Sequence, residues 1–440
     1  MDARNRQILH IALPAIVTNI TVPLLGLVDT AIVGHMGAAS YIGAIAVGTM
    51  IFNLVYWVFG FLRMGTSGMT AQARGRRDLT EVTRLLARSA LVSLVVSAVL
   101  LLLQWPLCEL MLSFIGPTPD VRPLAATYFY IVVWGAPASL GLFALTGWYI
   151  GMQNTRLSML ISILQNVVNI LASLLLVYGL GMKVEGVALG TVVAQYAGLL
   201  VGIGLLWRYY RKLFLTRMVH QGLLSAAVRE LGPFFRVNRD IFLRTLFLVA
   251  VNLYFTSAGA RQGAVILAVN TLLMQLYLLF SYIMDGFAYA GEALAGRYWG
   301  ACDWPACRDV VRRLFRWGWL MTGLFTAIYV VGGMPFLHVL TDEPGVVEAA
   351  RAYVWWAYLI PAAGVAAFIW DGIFIGTTQT RGMLLSSAVS AVVFFLVAYA
   401  TARTLGNHGL WLAMVLYLLT RGIVQLLFWR RHGQAIGRYQ

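Results

Sequence analysis

The 440 residues read as an all-α membrane protein, with twelve transmembrane helices in two pseudo-symmetric six-helix bundles, a parallel repeat around a central cleft. Three observations predict this. Sixty per cent of the residues are apolar and only 11% are charged, where a soluble domain carries roughly a quarter charged residues. The charges are spaced so that the runs between them are long enough to cross a bilayer, about 20 residues. Motifs of the first half also return in the second at a constant distance. In water, a chain this apolar would have to hide more surface than its length can enclose; lipid as solvent removes the difficulty.

Uncharged runs lie between His35 and Arg63, Arg88 and Glu109, Arg122 and Arg156, Arg156 and Lys183, and Glu185 and Arg208. They resume between Arg261 and Asp285, Arg316 and Asp342, Arg351 and Asp371, and Arg381 and Arg403. Three further spans contain a charge: 8–33 with Asp29, 240–259 with Arg244, and 409–429 with Arg421. Together they predict twelve.

Arginine collects in alternate loops. Arg74, Arg76, Arg77, Arg84 and Arg88 follow the second span, Arg297, Arg308, Arg312, Arg313 and Arg316 the eighth, and Arg430 and Arg431 the last. The opposite loops hold only Arg122, Lys183, Arg261, Arg351 and Arg403. By the positive-inside rule both ends are expected in the cytoplasm of a bacterium, the chain being a multi-pass protein of the inner (cytoplasmic) membrane. The lobes are then 1–208 and 239–429, with a cytoplasmic linker at 209–238 and a cytoplasmic tail at 430–440. The net charge of +15 is accounted for by topology and lipid headgroups rather than nucleic acid. Asp29 and His35 interrupt the first apolar segment and no A-x-A-like site follows, so no cleavable signal peptide is expected.

Gly147, Gly151, Thr155 and Arg156 recur as Gly372, Gly376, Thr380 and Arg381, an offset of 225 that also relates Gly75 and Asp78 to Gly300 and Asp303. Pro137 and Pro361 are nearly equivalent, and Asn5-Arg6 resembles Asn238-Arg239. An even number of spans per half demands parallel repeats about an axis along the membrane normal, whose rocking would open the cleft to either side in turn. Duplication that merely enlarges a bundle is the plainer alternative. The Gly-x-x-x-Gly pairs and in-span prolines suit helices that slide or bend.

A charge at the centre of a span costs about 2.5–3.5 kcal/mol on insertion scales. Four acids lie in or near spans: Asp29, Asp285, Glu292 and Asp371. Asp29, inside a strongly apolar run, is expected to face the cleft as a protonation switch; a fixed hydrogen-bonded helix contact is the alternative. Asp371, beside Gly372, is the second-lobe candidate, for coupling or for structural pairing. Asp285 and Glu292 lean towards structural roles. On the fifth span Asn166, Asn169 and Ser173, spaced by three and four, share a helix face, with Gln165 alongside. That face is expected either to hold Asp29 or line a wet cavity, or to serve interhelical packing. Pro14, roughly 22 Å before Asp29 along a helix, is expected to bend the first span.

Three cysteines and six histidines show no disulfide or metal spacing. The only lysines, Lys183 and Lys212, sit in no phosphate-cradling loop, and no H-E-x-x-H or G-x-S-x-G motif occurs. The chain is therefore expected to be no enzyme and to hold neither cofactor nor metal, so transport would be driven by an ion gradient.

The run from Ala12 to His35, with Pro14 and Asp29 in it, resembles the first helix of MATE (multidrug and toxic compound extrusion) transporters, the DinF-like branch in particular. Thr70 to Gly75, Asp285 to Ala293 and Trp370 to Gly376 resemble the same family. The resemblance implies secondary-active export of cationic, amphipathic compounds in exchange for protons or sodium. It implies Asp29 as the coupling acid, Pro14 as the bending residue, and a polar network of Tyr128, Asn166, Asn169 and Thr191. Ser173 departs from the pattern, because many relatives carry an acid there. A carboxylate pair would suit sodium, a hard cation; its loss favours a proton gradient, with sodium coupling as the alternative.

The implied partners are cationic or amphipathic small molecules, met by aromatic and methionine side chains, and membrane lipids; no nucleic acid or obligate protein partner is implied. A lipid-linked precursor flippase of the same superfamily would need several cations in its cleft. Only Arg244 lies inside a span, with Arg421 near an end, which weighs against that reading. A membrane enzyme or scaffold lacks a catalytic constellation.

Overall fold

In hydrocarbon every backbone amide must find its partner within its own segment or a closed sheet, and this chain takes the helical solution. The computed structural model describes residues 2–34, 39–218, 228, 231–340 and 343–437. Side chains at 22–25, 27, 29, 30, 33, 34, 39, 217, 218, 339 and 432–437 lie outside the description. Among the described residues there is no strand, and 11 helices are long and apolar enough to cross a membrane. The 32-residue α1 (Ala3–Gly34) runs unbroken through Pro14. The protein is thus an all-helical, multi-pass membrane protein.

In the first half, α2 (Ala39–Phe59) and α3 (Phe61–Gly75) form one span jointed at Gly60. Next come α4 (Leu79–Leu102) and the shorter α5 (Gln104–Ile115). α6 (Arg122–Val132) and α7 (Ala136–Gly151) share a span, interrupted by a 3-10 turn at Val133–Gly135. The break falls just before Pro137, which has no N–H to continue the ladder. α8 (Thr155–Leu174) ends in a π turn at Leu175–Gly179, and α9 (Val184–Met218) closes the half. The second half has fewer, longer helices: α10 (Leu231–Arg261), α11 (Ala264–Gly300), α12 (Trp304–Leu340), α13 (Pro344–Gly376), α14 (Thr380–Thr401) and α15 (Asn407–Gly437). These run past the acids that delimit the uncharged runs, so Asp285, Glu292 and Asp371 all sit within helices.

The repeat is written into the helix ends. α3 and α11 stop at Gly75 and Gly300, and α7 and α13 stop at Gly151 and Gly376. The helices that follow begin at Leu79, Trp304, Thr155 and Thr380, each pair at the same offset. Four non-glycine residues occupy the left-handed region: Arg77, Gln153, Cys302 and Thr378, with φ between 52° and 60°. They too are related pairwise by 225 residues. After each, a backbone N–H returns five residues to a helix carbonyl: Asp78 to Ala73, Asn154 to Tyr149, Asp303 to Tyr298 and Gln379 to Phe374, all at 2.9 Å. That is the Schellman stop. Asp78 and Asp303 then accept the N–H of Glu81 and Ala306 at 2.9 and 3.0 Å, capping the next helix. The recurrent glycine and aspartate therefore mark one helical stop and restart, made twice.

The glycine pairs let backbones touch. A Cβ on Gly147 or Gly151 would meet the carbonyl oxygen of Arg63 or Ser67 in α3 at 2.3 and 2.6 Å. On Gly372 or Gly376 it would meet those of Ala288 or Glu292 in α11 at 2.2 and 2.6 Å. Both contacts obey the 225-residue offset, so the same close seam is made twice.

The chain divides into two compact units, 17–238 and 1–16 with 239–440. The division crosses α1 two residues past Pro14 and crosses α10 at Asn238. In the first unit Asn238 caps back on the Phe234 carbonyl at 2.8 Å, and its amide fills the space over Gly65. In the second unit Asp309 accepts from Arg4 and Arg313, and Arg313 pairs with Asp2 at 2.6 Å.

Candidate functional site

Among the described residues, two of the polar clusters inside the spans contain residues singled out from the sequence, one in each unit. The first lies along α8. The three-and-four spacing of its amides puts them on one face, and that face meets α1 and α9. Asn169 Nδ2 donates to Thr191 Oγ1 on α9 at 3.3 Å, and Ser173 Oγ donates to Asn169 Oδ1 at 3.5 Å. Asn169 and Ser173 are buried. Gly190 of α9 leaves room for the Ser173 hydroxyl, which a Cβ there would meet at 2.3 Å. One turn earlier, Asn166 Nδ2 donates to the Thr21 carbonyl of α1 at 3.3 Å, and Thr21 Oγ1 lies 3.2 Å from Ser162 Oγ. At the far end, Tyr178 in the π turn donates to the Ile32 carbonyl at 3.1 Å.

α1 is therefore tied to the same helix on both sides of Asp29, eight residues before it and three after. The backbone of Asp29 belongs to α1, but its side chain lies outside the described residues. Asn166, Asn169, Ser173 and Thr191 are brought together as a network. Tyr128 is placed differently: its buried ring lies over Gly48 of α2, in an apolar cluster with Phe52, Phe129 and Val132. Pro14 belongs with the second unit's residues. Thr21, Ser162 and Tyr178 were not singled out from the sequence. The first two are ordinary hydroxyls at ordinary spacing, whereas the π turn leaves no local signature.

The second place lies among α10, α13 and α15. Asp371 is 7% exposed, and its Oδ2 accepts from both Arg244 and Arg421. Its Oδ1 accepts from Gln425 Nε2 at 2.7 Å. Arg421 is buried well inside α15 rather than near a helix end, because that helix runs on to Gly437. It shares a face with Gln425, one turn on. Of the two roles open to Asp371, the contacts are those of a buried ion pair. Nearby, Asp240 accepts from Thr380 Oγ1 at 3.0 Å and pairs with Arg239 at 3.0 Å. Another buried group, Asn270 with Asn407 and Trp411, is closed by three mutual hydrogen bonds of 2.8–2.9 Å. Its members satisfy one another, as interhelical packing requires. Among the described residues no group of His, Cys, Asp and Glu is arranged to hold a metal ion.

A duplicated bundle of spanning helices, with a polar network inside each half, is the architecture of a secondary transporter. The MatE family model matches residues 14–175 and again 241–400, one copy in each half, and the chain belongs to that family of efflux transporters. It is 39% identical to the DNA damage-inducible protein F of Escherichia coli (strain K12), over 98% of this chain and 93% of that one. It is 24% identical to the probable multidrug resistance protein NorM of Acinetobacter baylyi, over 93% and 92% of the two chains. Its fold superimposes on the crystal structure of a MATE protein in the bent conformation with a TM-score of 0.87. The identity there is 18%, with 100% of this chain and 97% of that one covered. The bent form of the Vibrio cholerae MATE transporter VcmN gives 0.86, at 16% identity, with 99% of this chain and 98% of that one covered.

Proposed function

We propose that the chain exports cationic, amphipathic compounds in exchange for protons by alternating access, with Asp29 as the protonation switch and Pro14 as the bend in α1. The observation that carries this reading is the tethering of α1 to α8 by Asn166 and Tyr178 on either side of Asp29. An acid held in that stretch couples its charge to hydrogen bonds that a movement of α1 must break. The α8 face contributes amides and hydroxyls and, with Ser173 in place of an acid, no second carboxylate. Neutral donors suit one carboxylate that gains and loses a proton, whereas a dehydrated sodium ion calls for several oxygen ligands with charge among them. The arginine-rich loops support cytoplasmic termini in a bacterial inner membrane.

The test is a proteoliposome assay of fluorescent cation export, driven either by a pH gradient or by a sodium gradient at fixed pH. Export is expected with the first and absent with the second, and Asp29→Asn is expected to lower the pH-driven rate by at least tenfold. Export under sodium alone would establish the sodium-coupled alternative, and full pH-driven activity in Asp29→Asn would remove the switch.

A further inference from the structure

The Asp371 cluster is unbalanced. Two guanidinium groups converge on one carboxylate, and both of their ion pairs end there. Arg244 is 6% exposed, Arg421 2% and Gln425 0%, so two guanidinium groups sharing one paired carboxylate are enclosed among the helices of the second unit. The hydrogen bonds are unbalanced as well. The Nε of Arg244, the Nε of Arg421 and the Oε1 of Gln425 are buried without a partner, and the Tyr417 ring, one turn before Arg421, has its centroid 6.0 Å from that guanidinium carbon. Tyr417, Arg421 and Gln425 lie at successive fours on α15, hence on one face.

An unmatched charge away from water is strongly unfavourable, and each buried N–H left unbonded adds its own desolvation cost. Both are relieved by one kind of visitor, an anion whose oxygens accept from the two guanidinium groups. Arginine's planar fork favours a planar, two-oxygen acceptor. The Gln425 oxygen would meet an N–H or O–H carried beside it.

We propose that Arg244 and Arg421 form a buried anion site in the second unit, and that its ligand is a carboxylate, either a free small carboxylate ion or the carboxylate of a transported compound. Asp371 then acts as the partial counter-charge that keeps the site occupied reversibly. This goes beyond cation export and does not depend on the role of Asp29.

The experiment is thermal unfolding of the purified full chain in detergent, titrated with sodium benzoate, with benzamide and sodium chloride at equal concentration as controls. Benzoate is expected to raise the midpoint saturably while the controls leave it unmoved. Asp371→Asn, which removes the carboxylate that both guanidinium groups pair with, is expected to unfold earlier without benzoate and to bind it at least tenfold more tightly. Arg421→Gln is expected to lose the response. Equal effects of benzoate, chloride and benzamide, or an Asp371→Asn protein that benzoate does not rescue, would overturn the proposal. Should Arg421→Gln fail to fold, the Asp371→Asn titration decides alone. Export of radiolabelled benzoate from proteoliposomes identifies a transported carboxylate; saturable binding with no export identifies a resident ion. Asp29→Asn is expected to lower pH-driven cation export at least tenfold while leaving the benzoate shift intact, which separates failure of this site from failure of the proton switch.

Discussion

Thr378 holds a backbone conformation that its side chain disfavours. Its φ is 52°, and a β-branched residue is strained there more than most. Left-handed geometry costs an L-residue roughly 1–2 kcal/mol, a penalty that glycine escapes. Thr378→Gly is therefore expected to stabilise the protein by about 1 kcal/mol, read as a raised unfolding midpoint; a lower one would mean that the threonine side chain's own contacts outweigh the strain. The symmetry mate of Arg77, Cys302, shares the conformation and is exposed, whereas Cys108 and Cys307 are buried. Maleimide is expected to label the folded protein at one position, Cys302, and all three only after denaturation. A second fast-reacting thiol, measured by mass spectrometry, would contradict the packing around α5 or α12. At Asp371, truncation to alanine leaves two enclosed guanidinium groups facing each other. Breaking such a pair costs about 3–5 kcal/mol, and Asp371→Ala is expected to lose that much stability, more than Arg239→Ala at an exposed partner.

Between helices, the seams of α7 on α3 and of α13 on α11 depend on hydrogen atoms where other residues carry a Cβ. A methyl group at Gly372 would approach backbone atoms of Ala288 at 2.2–2.7 Å, and backbone cannot rotate away as a side chain can. Overpacking of this kind costs about 1–3 kcal/mol, so Gly372→Ala and Gly147→Ala are expected to fall in that range. Gly204 in α9 has nothing within 4 Å of its would-be Cβ. Gly204→Ala is expected to be neutral or to gain up to about 1 kcal/mol from helix propensity. If all three substitutions gave equal midpoints, the seams would not be tight.

The elements themselves were largely legible: length and apolarity predict spanning helices, and the offset of 225 marks Gly75 and Asp78 as features made twice. The partners of the Gly-x-x-x-Gly pairs were not, because spacing announces a close approach without saying against which helix. The α8 face was legible too, since Asn166, Asn169 and Ser173 follow from helical periodicity. Their partners Thr21 and Thr191 lie on other helices, and no local pattern points from one to the other.

Over the whole molecule, duplication explains more than any single contact. Helix ends, left-handed residues, aspartate caps and glycine seams all recur at 225 residues, as expected if one folding unit was copied and its local physics retained. The copies diverge where the chemistry differs. The first unit surrounds its stretch of α1 with neutral amides and hydroxyls, and the second buries a carboxylate under two arginines. Hydropathy, charge spacing and capping are properties of neighbouring residues, so the sequence by itself determined a helical membrane protein, its repeat and the helix faces that carry polar groups. The convergence of Arg244, Arg421 and Gln425 on Asp371 joins residues up to 181 positions apart. Only tertiary packing decided it, because the energy of burying a charge depends on which helices end up as neighbours.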